Sequence, residues 1–136
     1  MSHFLTPVLA LILWTLVIAC VLYSRRIPAM KALRIRPDTA KDPNGEWKSK
    51  MPTSERFAAH NYNHLMEQPT IFYALMFYIT LTAQMSAPLF YAAWAYVALR
   101  VVHSFIQVSM GKVVIRFAVF SLATIMLLTM VVITVL

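Results

Sequence analysis

The chain has 136 residues, enough for one domain, but 60% are hydrophobic and only 12% charged, against about 45–50% and 25% in ordinary globular chains. Two glycines in the whole chain argue against a phosphate-cradling loop, a collagen repeat or a turn-rich β sandwich, and the single cysteine, Cys20, excludes an internal disulfide framework or a multi-cysteine metal centre. The net charge of +7 is concentrated rather than spread: residues 1–23 carry no Asp, Glu, Lys or Arg, residues 24–56 hold thirteen of the seventeen charged side chains, and only Glu67, Arg100, Lys112 and Arg116 follow. That distribution describes an integral membrane protein with one basic loop. No basic face interleaved with aromatic residues supports nucleic-acid binding.

Four stretches are candidates for crossing a hydrocarbon core, which takes ~20 helical residues. They span about 5–23, 54–83, 88–108 and 113–136. The first has Pro7 in its opening turn, where proline is tolerated, and lacks the positive leading region of a cleaved signal peptide. The second is apolar only over 71–83 and reaches full length by a more polar stretch from Ser54. Leu, Met, Ala, Ile and Val without strict alternation predict helices, since a lipid-exposed strand leaves its backbone unpaired. The expected fold is an all-α, antiparallel four-helix membrane bundle forming a single domain over 1–136.

The basic loop of 24–53, extended to 56, contains Arg25, Arg26, Lys31, Arg34 and Arg36 among nine Lys and Arg. The positive-inside rule places it in the cytoplasm and, with four spans, both termini outside. The loop holds Pro28, Pro37, Pro43 and Pro52, and is predicted to be irregular apart from a short helical turn near Ala29–Arg34. It serves topology and anionic-lipid contact, or it is a lid over a site. The short connectors 83–88 and 109–113 require antiparallel neighbours.

Ionisable residues at membrane depth cost ~2.5–3.5 kcal/mol and usually face a bundle interior. Arg56, His60, Asn63 and Glu67 stand at i, i+4, i+7 and i+11, on one helical face, with Asn61 and His64 beside it and Pro69 beyond. Arg100, His103 and Gln107 stand at i, i+3 and i+7 on the third helix. Arg116 lies early in the fourth, after Lys112. Two readings stand: interhelical ion pairs such as Glu67 with Arg100, which fix packing, or a surplus of positive charge that holds an anionic ligand. Polar stripes that one small bundle can hardly satisfy alone point to a homotrimer. His60 and His64 find no third ligand, so no metal is expected.

The segment Asn61-Tyr62-Asn63-His64-Leu65-Met66-Glu67-Gln68-Pro69, continuing to Phe72-Tyr73-Ala74-Leu75, resembles the Asn…Glu…Pro signature of the MAPEG family, membrane-associated proteins in eicosanoid and glutathione metabolism, in its bacterial form. Leu99-Arg100-Val101-Val102-His103-Ser104 resembles the third-helix Arg-x-x-His segment of the family's prostaglandin E synthase members, and Arg116 falls without a gap on their fourth-helix arginine. The resemblance implies a homotrimer in a bacterial inner membrane, with a glutathione site between subunits. Arg56, Asn63, Glu67, Arg100, His103 and Gln107 would bind glutathione as co-substrate. Arg116 would be the catalytic residue, stabilising its thiolate against a lipophilic electrophile from the bilayer. The alternative is a non-catalytic, lipid-binding or scaffold trimer. The chain departs from glutathione-using members in its Asn–Glu and Glu–Pro spacing, in Gln107 for a tyrosine, and in Phe117 for a serine.

Overall fold

A computed structural model describes residues 3–136. Its first helix, α1 (Thr6–Ala32), opens with Pro7 in the first turn and Thr6 Oγ1 donating to the His3 carbonyl at 2.7 Å. It runs nine residues past the apolar stretch that ends at Tyr23, through Arg25, Arg26 and Pro28, so the short turn expected near Ala29–Arg34 is the helix's own end. Hydropathy marks where lipid ends, not where helical hydrogen bonding ends. The stop is a Schellman motif: Arg34 has φ 53, its N–H reaches the Lys31 carbonyl at 3.2 Å, and Ile35 N–H reaches Met30 at 3.0 Å.

The loop that follows is folded rather than irregular. A 3₁₀ turn, Thr39–Lys41, leads to a one-turn helix, α2 (Trp47–Lys50). Trp47 Nε1 donates to the Asp42 carbonyl at 2.8 Å, and Trp47 and Met51 are buried. A large aromatic and a thioether thus anchor a segment whose prolines suggested an irregular course.

Helix α3 (Thr53–Leu81) is continuous across Pro69. It is followed by α4 (Ala87–Phe105), which ends in a π turn at Ile106–Met110, and by α5 (Val113–Val135). Gly111 joins the last two with φ 62, a left-handed conformation that only glycine adopts cheaply. Thr6–Ala32, Ala87–Met110 and Val113–Val135 are each long and apolar enough to cross a membrane. Helix α3 matches them in length, but its first half is too polar to qualify by composition.

Successive long helices run antiparallel. Arg26 Nε at the end of α1 bonds Glu55 Oε1 at the start of α3 at 2.7 Å. Midway along the bundle Phe72 of α3 stacks on Tyr96 of α4, ring centroids 4.6 Å apart. Leu11, Leu65, Met76, Ile79, Leu89 and Met130 complete the buried centre. In lipid, apolar burial supplies little net drive, so close packing and interhelical hydrogen bonds hold such a centre together. The polar residues gather at the end of the bundle that carries the basic loop.

Candidate functional site

Arg100, His103, Ser104 and Gln107 lie at i, i+3, i+4 and i+7 on α4, and all four are buried. Gln107 falls in the π turn, a widened turn that recurs at functional sites. Its Oε1 accepts Asn61 Nδ2 from α3 at 3.1 Å. The third-helix stripe expected from sequence is therefore an inward face.

Arg100 is the largest of the fully buried side chains, at 0% exposure. Its Nη2 donates to the His64 carbonyl at 2.9 Å and its Cζ lies 5.5 Å from the Phe120 ring centroid. Among the described residues its Nε and Nη1 have no partner, nor do His103 Nδ1, Ser104 Oγ and Asn61 Oδ1. Burying a guanidinium costs several kcal/mol unless other groups answer it. The expected Glu67–Arg100 ion pair does not form. Glu67 is exposed, and its nearest basic partner is His64 Nδ1 at 3.5 Å. Helical geometry explains this: neighbouring residues are ~100° apart, so with Gln68 turned inward Glu67 points off the inner face.

Beside Arg100, residues His64, His103, Arg116, Val113, Phe117 and Phe120 line a cavity of about 250 Å³. The His64 and His103 rings meet edge to face, centroids 6.0 Å apart, and His103 lies 5.9 Å from Phe120. Arg116 is half-buried in this group. Val113 and Phe117 are 63% and 70% exposed, so one wall of the cavity is also the apolar outer surface of α5. One charged and two imidazole groups thus border a space with an apolar opening.

Arg56 and Asn63 lie elsewhere. With His60, Lys48, Tyr62 and Trp47 they line a separate hollow of about 480 Å³ at the loop end. Arg56, His60, Asn63 and Glu67 are all exposed, so the second-helix stripe faces outward, not into the bundle. The face that turns inward is Asn61, Leu65, Phe72, Met76 and Ile79. The structure therefore brings Arg100, His103 and Arg116 together, sets Gln107 one turn away on Asn61, and leaves Arg56, Asn63 and Glu67 on the open side of α3. His64 touches both sets, through its carbonyl to Arg100 and its ring to Glu67.

Sequence reasoning missed His64, Asn61, Ser104 and Phe120 as members of the inner cluster. A signal existed for the first two. Extending the apolar period of Ile79, Met76, Phe72 and Leu65 backwards leads to Asn61, and His64 borders that face. A second polar link was also missed: Gln68 Nε2 donates to Thr124 Oγ1 at 2.9 Å, and Tyr96 OH donates to Gln68 Oε1 at 3.3 Å.

No curated protein and no solved structure matches the chain. The model of the MAPEG family matches residues 4–136, nearly the whole sequence, and the chain belongs to that family.

Proposed function

We propose that this protein binds glutathione and uses its thiolate against lipophilic electrophiles, as a transferase or peroxidase of a family that includes both. The observation behind this reading is the shared cavity of Arg116, His103 and His64, with unpartnered nitrogens of Arg100 beside it. A free thiol of this kind has a pKa near ~8.5 and reacts as the thiolate. Lowering that by about 2 units takes ~2.7 kcal/mol of preferential stabilisation. A guanidinium in a low-dielectric setting is suited to supply it. The exposed Val113 and Phe117 wall gives a substrate dissolved in the bilayer a route to the sulfur.

The reading includes assembly. All four long helices cross a bacterial inner membrane, the basic loop lies in the cytoplasm and both termini lie outside. Three copies associate, so that the open face with Arg56, Asn63 and Glu67 contributes to a site completed by a neighbour. Those side chains would hold the carboxylates, amino group and peptide of glutathione, with Gln107 supporting the set through Asn61.

The test is thermal unfolding in mild detergent with increasing glutathione. A saturable rise in the melting midpoint is expected, together with an ultraviolet thiolate band. A midpoint unchanged at millimolar glutathione overturns the proposal. A second reading, a non-catalytic trimer, is favoured by one observation: Arg100 and Gln107 each already bond α3, at the His64 carbonyl and at Asn61. In that reading the polar cluster fixes helix packing, and glutathione has no effect.

A further inference from the structure

Helix α1 has 27 residues, about 40 Å at ~1.5 Å per residue, and exceeds a hydrocarbon core of ~30 Å. Its charged end therefore emerges at the level of lipid headgroups. On its outer surface Leu16, Cys20, Tyr23 and Ile27 are exposed at spacings of four, three and four, which makes one continuous stripe. From Leu16 to Ile27 the stripe covers about 17 Å, close to the ~15 Å depth of a single leaflet. Arg34 stands two residues past the end of α1, in the left-handed position of its Schellman stop.

The Schellman stop and the folded loop turn that end into a hollow of about 370 Å³. Arg34, Arg36 and Lys50 line it together with Leu33, Thr39 and Trp47, and Asp42 and Glu46 also border it. Cations outnumber acids three to two. The Asp42 carboxylate is already engaged, accepting the Asn44 backbone N–H at 2.9 Å. Arg25 and Arg26 are tied to the start of α3, through the Ser54 carbonyl and Glu55. Arg34, Arg36 and Lys50 instead remain exposed. The loop is held in shape by buried Trp47 and Met51, so these charges sit at fixed positions and not on a loose tail.

We infer that this hollow is a binding site for an anionic phospholipid, its phosphate among Arg34, Arg36 and Lys50 and one acyl chain along Leu16, Cys20, Tyr23 and Ile27. Neither half of the arrangement fits another ligand class as well. A soluble phosphate leaves the apolar stripe unused, and a neutral lipid leaves the cations unanswered. The site is separate from the cavity of Arg116 and His103, and the inference does not depend on glutathione binding.

The experiment offers the full-length protein in mild detergent equal amounts of phosphatidylglycerol and phosphatidylcholine with identical chains, and counts retained lipid by native mass spectrometry. Wild-type protein is expected to retain phosphatidylglycerol by about tenfold or more, the order that a few cations near an anionic headgroup provide. The combined Arg34→Gln, Arg36→Gln and Lys50→Gln variant should fall to near parity. Lys31→Gln, Lys41→Gln and Lys112→Gln together remove the same charge away from the hollow and should keep the preference. Lys50→Gln alone, at an exposed position, should show a partial loss even if the triple variant folds poorly. Ile27→Ser should weaken retention of the lipid. Equal retention of both lipids by wild type, or an undiminished preference in the triple variant, overturns the proposal. Displacement of the lipid by millimolar glycerol phosphate, the headgroup without tails, overturns the lipid assignment in favour of a soluble phosphate site.

Discussion

The Arg100 guanidinium, wholly buried in α4, donates through Nη2 to the backbone carbonyl of His64 in α3 at 2.9 Å, while Glu67, the acid one turn along, points away. A cation answered by a carbonyl and a ring, with two nitrogens left over, is a poor way to stabilise a bundle. A shape-matched apolar residue at such a position is often neutral or stabilising. Arg100→Met is therefore expected to unfold no earlier than wild type, within about 1 kcal/mol, and to lose any midpoint shift caused by glutathione. Melting in detergent with and without glutathione checks both. A large drop in the bare midpoint would make Arg100 a packing element instead.

The buried amide pair behaves differently. Asn61 Nδ2 and Gln107 Oε1 satisfy each other at 3.1 Å, so removing one strands its partner. Asn61→Leu or Gln107→Leu alone should cost about 1–3 kcal/mol, and the double variant less than the sum. A double-mutant cycle on unfolding midpoints measures the coupling. Additive losses would show that the two amides do not depend on each other.

Much of this architecture was legible because hydrophobic period and short connectors leave few choices for helices in lipid. The inner face of α4 followed from Arg100, His103 and Gln107 at helical spacing. The face of α3 did not, because two polar stripes lie side by side and the one with more charge, Arg56 to Glu67, is the open one. The cost of burying ionisable groups suggested an interior, but an exposed polar face looks the same in sequence. The course of the loop was illegible for another reason. Trp47 and Met51 find their places through contacts with the rest of the protein, and proline spacing carries no information about that.

Gly111 is the point where α4 turns back into α5. Its φ of 62 disfavours any side chain, and a Cβ there would lie 2.8 Å from Cε2 and Cζ of Phe57. Gly111→Ala should destabilise the protein by about 2–4 kcal/mol, combining left-handed strain with overpacking. Phe57→Ala in the same chain removes the collision but not the strain, so it should restore only part of the loss. Thermal unfolding of the three variants gives the comparison. A Gly111→Ala protein as stable as wild type would mean that Phe57 and the turn yield together.

Arg116 is the cation that shares a cavity with His103 and His64 and meets its apolar opening at Val113 and Phe117. A guanidinium stays protonated at any working pH, so it cannot take a proton from a thiol. In the proposed glutathione chemistry its contribution would be electrostatic, favouring the thiolate over the thiol. Arg116→Ala should leave assembly unchanged in native mass measurements and glutathione binding weakened only modestly. The thiolate band at saturating glutathione and the conjugation of an aryl halide should both disappear. Arg116→Lys should recover part of the band, because a point charge serves a single sulfur nearly as well as a planar fork. His103→Ala separates the neighbouring group: it should alter affinity while the thiolate band survives at saturation. A thiolate band of full intensity in Arg116→Ala would assign the stabilising charge to another residue, with Arg100 the other arginine of the cluster.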